Sequence, residues 1–320
     1  MADRPATIRV DGMLIPMNDT PLTAKELAAL PDKILTAEQK QRFDSHKDLD
    51  FSYNVDGARY RVNICLERGN LSLVARVIPT DIPSFKELDI PEVVGRLTTA
   101  LSGLILVTGP TGSGKSTTLA AMIEKINATQ PVNIVTLEDP IEFLFTPKKA
   151  LIRQRELGGD MTSFPEGLKH VLRQDPNVIM VGEMRDLETV SAALTLAETG
   201  HLVLSTLHTP SAAQAVDRII DMFPPYHQNQ IRSQMSLSLK AIIAQHLVPK
   251  EGGGRVAVRE ILLNTPAIGT MIRESKVAQI PNVMQTSPGM FNFTQSVREL
   301  LKEGTISPDT ADLFKNAAAI

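Results

Sequence analysis

The 320-residue sequence predicts an α/β protein in which helices cover a parallel sheet, with a small α+β domain in front of it. Apolar runs at 104–108, 132–137, 177–182 and 201–206 alternate with helical patterns, which is typical of a parallel sheet. Residues before about 80 instead alternate apolar and polar positions, the period of half-buried antiparallel strands. A glycine-rich loop directly follows the first of the four apolar runs.

The first domain is predicted to span residues 1–80. Its alternating segments at 51–55, 60–64 and 71–75 predict strands, and Asp56-Gly57 between the first two predicts a hairpin turn. Helical segments are expected around 22–30 and 36–44. Prolines at 79 and 83 interrupt both periods, so we predict a linker at 81–90 and a second domain over 91–320.

The end of the second domain is predicted to leave the alternating pattern. Three glycines, Gly252 to Gly254, separate the apolar runs 242–248 and 256–263 and therefore predict a hairpin. After Thr265 the chain is expected to be helical to its end.

Composition excludes several classes of protein. The longest apolar stretches are strand-sized, so no transmembrane segment is predicted, and the first residues lack a signal-peptide pattern. The single cysteine, Cys65, excludes a disulfide framework and a multi-cysteine zinc site. A net charge of −3 and 4% aromatic residues argue against a nucleic-acid surface. We therefore expect a cytoplasmic protein that binds no nucleic acid.

The glycine-rich loop is a complete G-x-x-x-x-G-K-[ST] motif between a predicted strand and a predicted helix. Its glycines allow the backbone to wrap a phosphate, and the anion would lie at a helix N-terminus. The lysine supplies positive charge for the outer phosphates, and the serine after it supplies a hydroxyl for Mg²⁺. The sequence thus predicts a site for ATP and Mg²⁺ formed by Gly109, Pro110, Thr111, Gly112, Ser113, Gly114, Lys115, Ser116 and Thr117.

Carboxylates follow two of the predicted strands, where ligands of parallel α/β sheets gather. Glu142 comes shortly after the 132–137 run, and Glu183 comes after the 177–182 run. Phosphoryl transfer to water needs a metal ligand and a group that orients the water. Both glutamates are predicted to be catalytic, with Glu183 also a metal ligand beside Ser116. Glu138 and Asp139 stay open as further candidates.

Two histidines bound the last of the four apolar runs. His201 begins that run, and His208 follows it at the end where a γ-phosphate sensor would lie. A lone histidine is more often a packing or capping residue, so spacing alone leaves the role of His208 undecided.

Several motifs together resemble the type IV pilus retraction ATPases, the PilT-like family of pilus and secretion motors. The similarity runs from about Ile8 to the end of the chain. The motifs that carry it are Gly109–Thr117, Thr136–Phe143, Gly182–Thr189, Glu198–Thr209 and Asp217–Asp221.

The resemblance implies a RecA-like ATPase domain behind a PAS-like domain, a homohexamer, and an inner-membrane pilus platform protein as partner. It implies catalytic glutamates at Glu142 and Glu183 and box histidines at His201 and His208. Among the strand arginines of the first domain, it favours Arg61 and Arg76 as residues brought to the nucleotide. It also implies a protein peripheral to the inner face of the cell membrane.

Two stretches depart from the family pattern. The family begins with a helix and a strand that this chain lacks, so the small domain is expected to be truncated at its front edge. The family helix Ala-Ile-Arg-Asn-Leu-Ile-Arg-Glu reads here as Ala267 to Glu274 with glycine and threonine in place of the first arginine and the asparagine.

Three alternatives to a retraction motor remain at this point. A pilus assembly or secretion ATPase of the same family usually carries a four-cysteine metal insertion, which is absent here. A RecA-like nucleic-acid motor would need a basic channel. A regulatory paralogue with weak hydrolysis is disfavoured by the intact Lys115, Glu142 and Glu183.

Overall fold

The fold is described from a computed structural model that covers residues 3–10 and 13–318. The chain divides into two compact units, Met1–Thr80 and Asp81–Ile320, each of which is described by itself.

The first unit holds a three-stranded antiparallel sheet packed on short helices. The predicted strands and helices at 22–30, 36–44, 51–55, 60–64 and 71–75 are all found, and the predicted turn has positive φ at Asp56 (50°) and Gly57 (77°). An unpredicted two-stranded sheet precedes them. The elements are β1 (Arg4–Val10), β2 (Met13–Leu22), α1 (Ala24–Ala28), α2 (Leu30–Ile34), α3 (Ala37–His46), β3 (Asp48–Val55), β4 (Ala58–Glu67) and β5 (Asn70–Ile78).

Local chemistry fixes where the helices of the first unit begin. Thr23 and Glu26 form a capping box at α1, and Thr36 and Gln39 form one at α3. One face of the sheet β3-β4-β5 buries apolar side chains against the helices, so the alternating pattern corresponds to one buried face and one polar face. The buried cluster comprises Leu27, Phe43, Leu49, Phe51, Val62, Ile64 and Leu71.

The second unit is built on a seven-stranded sheet with the order β12-β11-β6-β10-β9-β7-β8. All neighbours are parallel except the β11-β12 hairpin at one edge. The α/β fold class is therefore confirmed. The strands are β6 (Gly103–Thr108), β7 (Asn133–Glu138), β8 (Leu151–Glu156), β9 (Val178–Val181), β10 (Leu202–Leu207), β11 (Leu239–Pro249) and β12 (Arg255–Leu263).

Helices cover both faces of this sheet. Two apolar clusters, one on each side, bury the central strands β6, β9 and β10 completely, which is why these strands have continuous apolar sequences. The helices are α4 (Glu92–Leu97), α5 (Lys115–Thr129), α6 (Phe164–Val171), α7 (Leu187–Glu198), α8 (Ala212–Asp221), α9 (Pro225–Ser238), α10 (Pro266–Arg273), α11 (Ile280–Met284), α12 (Phe293–Lys302) and α13 (Pro308–Ala318).

Residues 81–90, expected to be a linker, are packed into the second unit. The side chains of Ile82, Phe85 and Leu88 lie against one of its apolar clusters, and Ile90 is buried in it. The buried guanidinium of Arg259 donates to the carbonyls of Leu88 and Asp89 at 2.7 and 2.8 Å. This segment is therefore a fixed part of the second unit.

The glycine at position 269, where α10 departs from the family pattern, is explained by helix packing. A Cβ atom on Gly269 would lie 3.2 Å from the carbonyl oxygen of Ser236, so α10 and α9 approach closely at that point. Arg273 in the next turn donates to the Ser236 hydroxyl at 3.2 Å. Among the helices that the structure describes, none is long and apolar enough to cross a membrane.

Candidate functional site

The phosphate loop joins the end of β6 to the start of α5. Gly109, Gly112 and Gly114 have φ of 144°, 79° and 85°, so the loop uses backbone conformations that side chains disfavour. Gly114 is the residue from which α5 begins. Several backbone N–H groups here have no acceptor within residues 3–10 and 13–318, namely those of Gly112, Gly114, Lys115, Ser116 and Thr117. The loop therefore presents a set of donors suited to a phosphate group.

Lys115 lies within this loop and is only 8% exposed. Its ammonium donates to the carbonyls of Gly109 and Pro110 at 2.8 and 3.0 Å. Burial lowers the pKa of Lys115, while the negative charges of Glu183 and Glu142 oppose that shift. Both predicted catalytic glutamates thus act electrostatically on the same ammonium group.

Glu183 is held at the carboxyl end of β9 by its two neighbours. The Gly182 N–H donates to Leu137 O at 2.8 Å and the Met184 N–H donates to Thr206 O at 3.2 Å, which fixes the backbone on both sides. The Glu183 side chain is 13% exposed and contacts two other polar side chains. Arg185 forms an ion pair with it, and His208 Nε2 lies 3.1 Å from its Oε2 atom.

Glu142 lies on an irregular segment after β7 and is exposed. Its backbone N–H donates to the Glu138 carboxylate at 3.4 Å. Glu138 is 5% exposed and accepts from Thr136 at 2.6 Å and from Gln154 at 3.1 Å, and burial raises its pKa. Glu138 therefore supports the segment that carries Glu142. Asp139 lies 3.9 Å from Arg185 at the same end of the sheet.

Two cavities open beside these residues. One of about 310 Å³ is bordered by Gly114, Thr117 and Thr118 together with Leu88 and Leu247. Its position next to the start of α5 suits the base and sugar of a nucleotide. The other, of about 640 Å³, is lined by residues that include Arg185, His208, Thr209, Gln214, Asp217, Arg218 and Asp221.

Comparisons with known proteins agree with this geometry. The family described as type II/IV secretion system protein matches residues 84–311. The type IV pilus retraction ATPase PilT of Pseudomonas aeruginosa is 47% identical over 97% of this chain and 91% of its own length. A twitching motility protein of Neisseria gonorrhoeae is 46% identical over 95% and 82%. The structure of the pilus retraction motor PilT with bound ADP superposes with a TM-score of 0.91 at 44% identity, over 97% of this chain and 90% of that one.

The chain belongs to the PilT-like family of pilus retraction ATPases. Its enzymatic activity is accordingly ATP hydrolysis. The predictions of family and enzyme class are confirmed.

The two predicted histidines lie at different ends of β10. His201 precedes β10, whereas His208 follows it, so the two histidines lie at opposite ends of this strand, roughly 23 Å apart at ~3.3 Å per strand residue. His201 Nδ1 donates to Leu196 O at 3.1 Å, and the His201 carbonyl accepts from the Gly103 N–H at the start of β6. The structure therefore places His208, but not His201, beside Glu183, and the predicted catalytic roles of both histidines stay predictions.

The two predicted arginines lie together on the first unit. Arg61 on β4 is directly opposite Arg76 on β5, so both side chains share the polar face of that sheet. The Arg61 Nε atom is 4.0 Å from Asp50, whereas Arg76 is exposed and has no hydrogen-bond or ion-pair partner among the described residues. Their role at a nucleotide stays a prediction.

The donor set fits Mg²⁺ bound together with a nucleotide. No cluster of three or more His, Cys, Asp or Glu side chains suited to a metal occurs in the described part of the chain. Mg²⁺ in nucleotide enzymes uses one or two protein oxygens plus phosphate oxygens and water, so a three-carboxylate cage is unnecessary. The Ser116 hydroxyl and the Glu183 carboxylate are oxygens of the kind that Mg²⁺ takes, and their role as its ligands stays a prediction.

Sequence reasoning missed two residues of this site, Arg185 and Gln245. Arg185 contacts both Glu183 and Asp139, and its proximity in sequence to Glu183 is the signal that could have identified it. Gln245 contacts the loop from a strand 132 residues away, and no local pattern marks it.

Proposed function

We propose that this chain is the ATP-hydrolysing motor that drives retraction of a type IV pilus. The observation that carries the proposal is the combination of near full-length similarity to PilT with an intact phosphate loop and both strand-end glutamates. Retraction here means disassembly of the pilus fibre, which underlies twitching motility.

In the proposed reaction, Gly109 to Thr117 hold the phosphates of ATP through backbone N–H groups. Lys115 exchanges its two carbonyl partners for the outer phosphates, where its charge opposes the charge that develops in phosphoryl transfer. Glu142 orients the attacking water and accepts its proton as general base. Glu183 and His208, whose side chains lie 3.1 Å apart, are proposed to contact the transferred group from the ends of β9 and β10.

Mg²⁺ would be held by Ser116 and Glu183 and would neutralise negative charge on the outer phosphates. The ion pair of Glu183 with Arg185 orients this carboxylate before the metal binds. The protein therefore provides a preformed oxygen ligand at the end of β9.

The motor is proposed to work as a homohexamer at the inner face of the cell membrane, in the cytoplasm, against the inner-membrane platform protein of the pilus. Arg61 and Arg76 are proposed to complete the nucleotide site of a neighbouring subunit. Arg76 supports this role because it is exposed and has no carboxylate partner among residues 3–10 and 13–318. A residue that is withdrawn and restored in each cycle moves most readily when it has no local ion pair, so Arg76 suits this role better than Arg61, which lies 4.0 Å from Asp50.

Deleting the gene in its host and counting surface pili by electron microscopy tests this function. A retraction motor gives accumulation of pili, and complementation with the wild-type chain restores the normal number while Lys115→Ala does not. Loss of pili on deletion would instead identify an assembly motor. An unchanged count would refute a role in pilus dynamics.

A further inference from the structure

Gln245 lies beneath the phosphate loop, on a strand that is distant in sequence. Ala244 on β11 pairs with Thr108 on β6, which places Gln245 level with Gly109, the first residue of the loop. A Cβ atom on Gly109 would lie 2.2 Å from the Gln245 carbonyl oxygen, so the β11 backbone abuts the loop directly. Gln245 is 1% exposed.

The side-chain amide of Gln245 joins the end of the loop to the first turn of α5. Its Nε2 atom donates to Ser113 O at 2.7 Å, and its Oε1 atom accepts from the Thr118 hydroxyl at 2.9 Å. A backbone carbonyl can only accept, so the nitrogen of the amide must face Ser113 and the oxygen must face Thr118. The orientation of the amide is therefore determined by its partners.

The contact with Ser113 also sets the direction of the next N–H group. In a trans peptide the C=O and N–H bonds point in opposite directions. Because Gln245 holds the Ser113 carbonyl towards β11, the N–H of Gly114 points away from β11, to the concave side of the loop. That N–H has no acceptor among the described residues.

We propose that Gln245 is a positioning residue of the phosphate loop, whose amide fixes the Ser113–Gly114 peptide so that the Gly114 N–H donates to a phosphoryl group of the bound nucleotide. It acts through the loop and does not itself touch the nucleotide. This inference rests on the proposed nucleotide site at Gly109 to Thr117. It predicts that Gln245 contributes to nucleotide affinity without being part of the loop motif.

Isothermal titration of the full-length protein with ADP tests the inference. Gln245→Met keeps the length of the side chain and removes both hydrogen bonds, so the Kd for ADP should rise about tenfold or more. Asn264→Leu is the matched control, because the Asn264 amide donates to Ser236 O and Leu239 O at the other end of β11. The control should bind ADP within twofold of wild type.

Gln245→Glu provides a second test, because the ADP affinity of this variant depends on whether its side chain can form the two hydrogen bonds of the amide. A protonated glutamic acid donates to Ser113 O and accepts from Thr118, as the amide does, whereas the carboxylate repels the Ser113 carbonyl. Burial raises the pKa of such a carboxyl group. The Gln245→Glu variant should therefore bind ADP more tightly than Gln245→Met at pH 6, measured against wild type at the same pH.

Three outcomes separate the inference from the site on which it rests. If Lys115→Ala weakens ADP binding and Gln245→Met stays within twofold of wild type, the role of Gln245 is refuted and the site stands. The positioning role is also refuted if Gln245→Glu binds ADP no more tightly than Gln245→Met at pH 6. The same conclusion follows if Asn264→Leu loses as much affinity for ADP as Gln245→Met. If neither Lys115→Ala nor Gln245→Met weakens binding, the proposed site itself fails.

Discussion

Glu183→Gln is the substitution that most directly tests the strand-end chemistry. It keeps the shape of the side chain and removes its charge, next to Arg185 and with His208 at 3.1 Å. Two unit charges about 4 Å apart interact by roughly 4 kcal/mol at an effective dielectric of about 20, which sets an upper bound near a 10³-fold effect. Because Glu183 is 13% exposed and water screens part of the charge, we expect turnover to fall by about 10².

The assay is phosphate release at saturating Mg-ATP, with ADP binding measured in parallel. Nucleotide binding should change little, because the backbone N–H groups and Lys115 remain in place. Glu188→Gln is the matched control, since this exposed glutamate lies in the first turn of α7, five residues further on, and its side chain forms no hydrogen bond or ion pair within the described part of the chain. Its turnover should equal that of wild type.

Turnover of Glu183→Gln within threefold of wild type would refute this assignment. Glu142→Gln, measured in the same series, would then be expected to carry the whole effect. If both variants retain full turnover, the carboxylates at the ends of β7 and β9 are not catalytic.

Three further predictions concern the loop, the assembly and the first unit. Lys115→Ala should abolish hydrolysis, because the outer phosphates lose the point charge inside the loop, and turnover within tenfold of wild type would remove the loop from the mechanism. Specific activity should rise with protein concentration as rings assemble. Size-exclusion chromatography combined with an activity titration measures this, and full activity in a strictly monomeric sample would contradict the prediction. Arg76→Ala should lower kcat by roughly 10² with intact rings and nearly normal ATP binding. Mixed rings of Arg76→Ala and Lys115→Ala chains should regain activity, whereas no recovery after confirmed subunit exchange would place Arg76 in its own chain's site or outside any site.

Local patterns in the sequence determined most of the fold and the centre of the site. Fully buried parallel strands leave continuous apolar runs, so β6, β7, β9 and β10 were predicted to within about two residues. The phosphate loop depends on glycines at fixed spacing, and Glu142 and Glu183 follow strands whose carboxyl ends meet at one edge of the sheet. The edge strand β8 was missed because its polar sequence, Leu151 to Glu156, has no apolar run.

The tertiary structure decided which residues meet across long separations. The resemblance to the PilT-like family made both His201 and His208 candidates. Because the loop follows the carboxyl end of β6 and β10 is parallel to β6, only His208 lies at that end of the sheet. The buried carboxyl of Glu138 proved to support the segment of Glu142, because its hydrogen bonds come from β7 and β8. Gln245 reaches Ser113 only because β11 pairs with β6. The two residues are 132 positions apart in sequence, and no local sequence pattern indicates the contact.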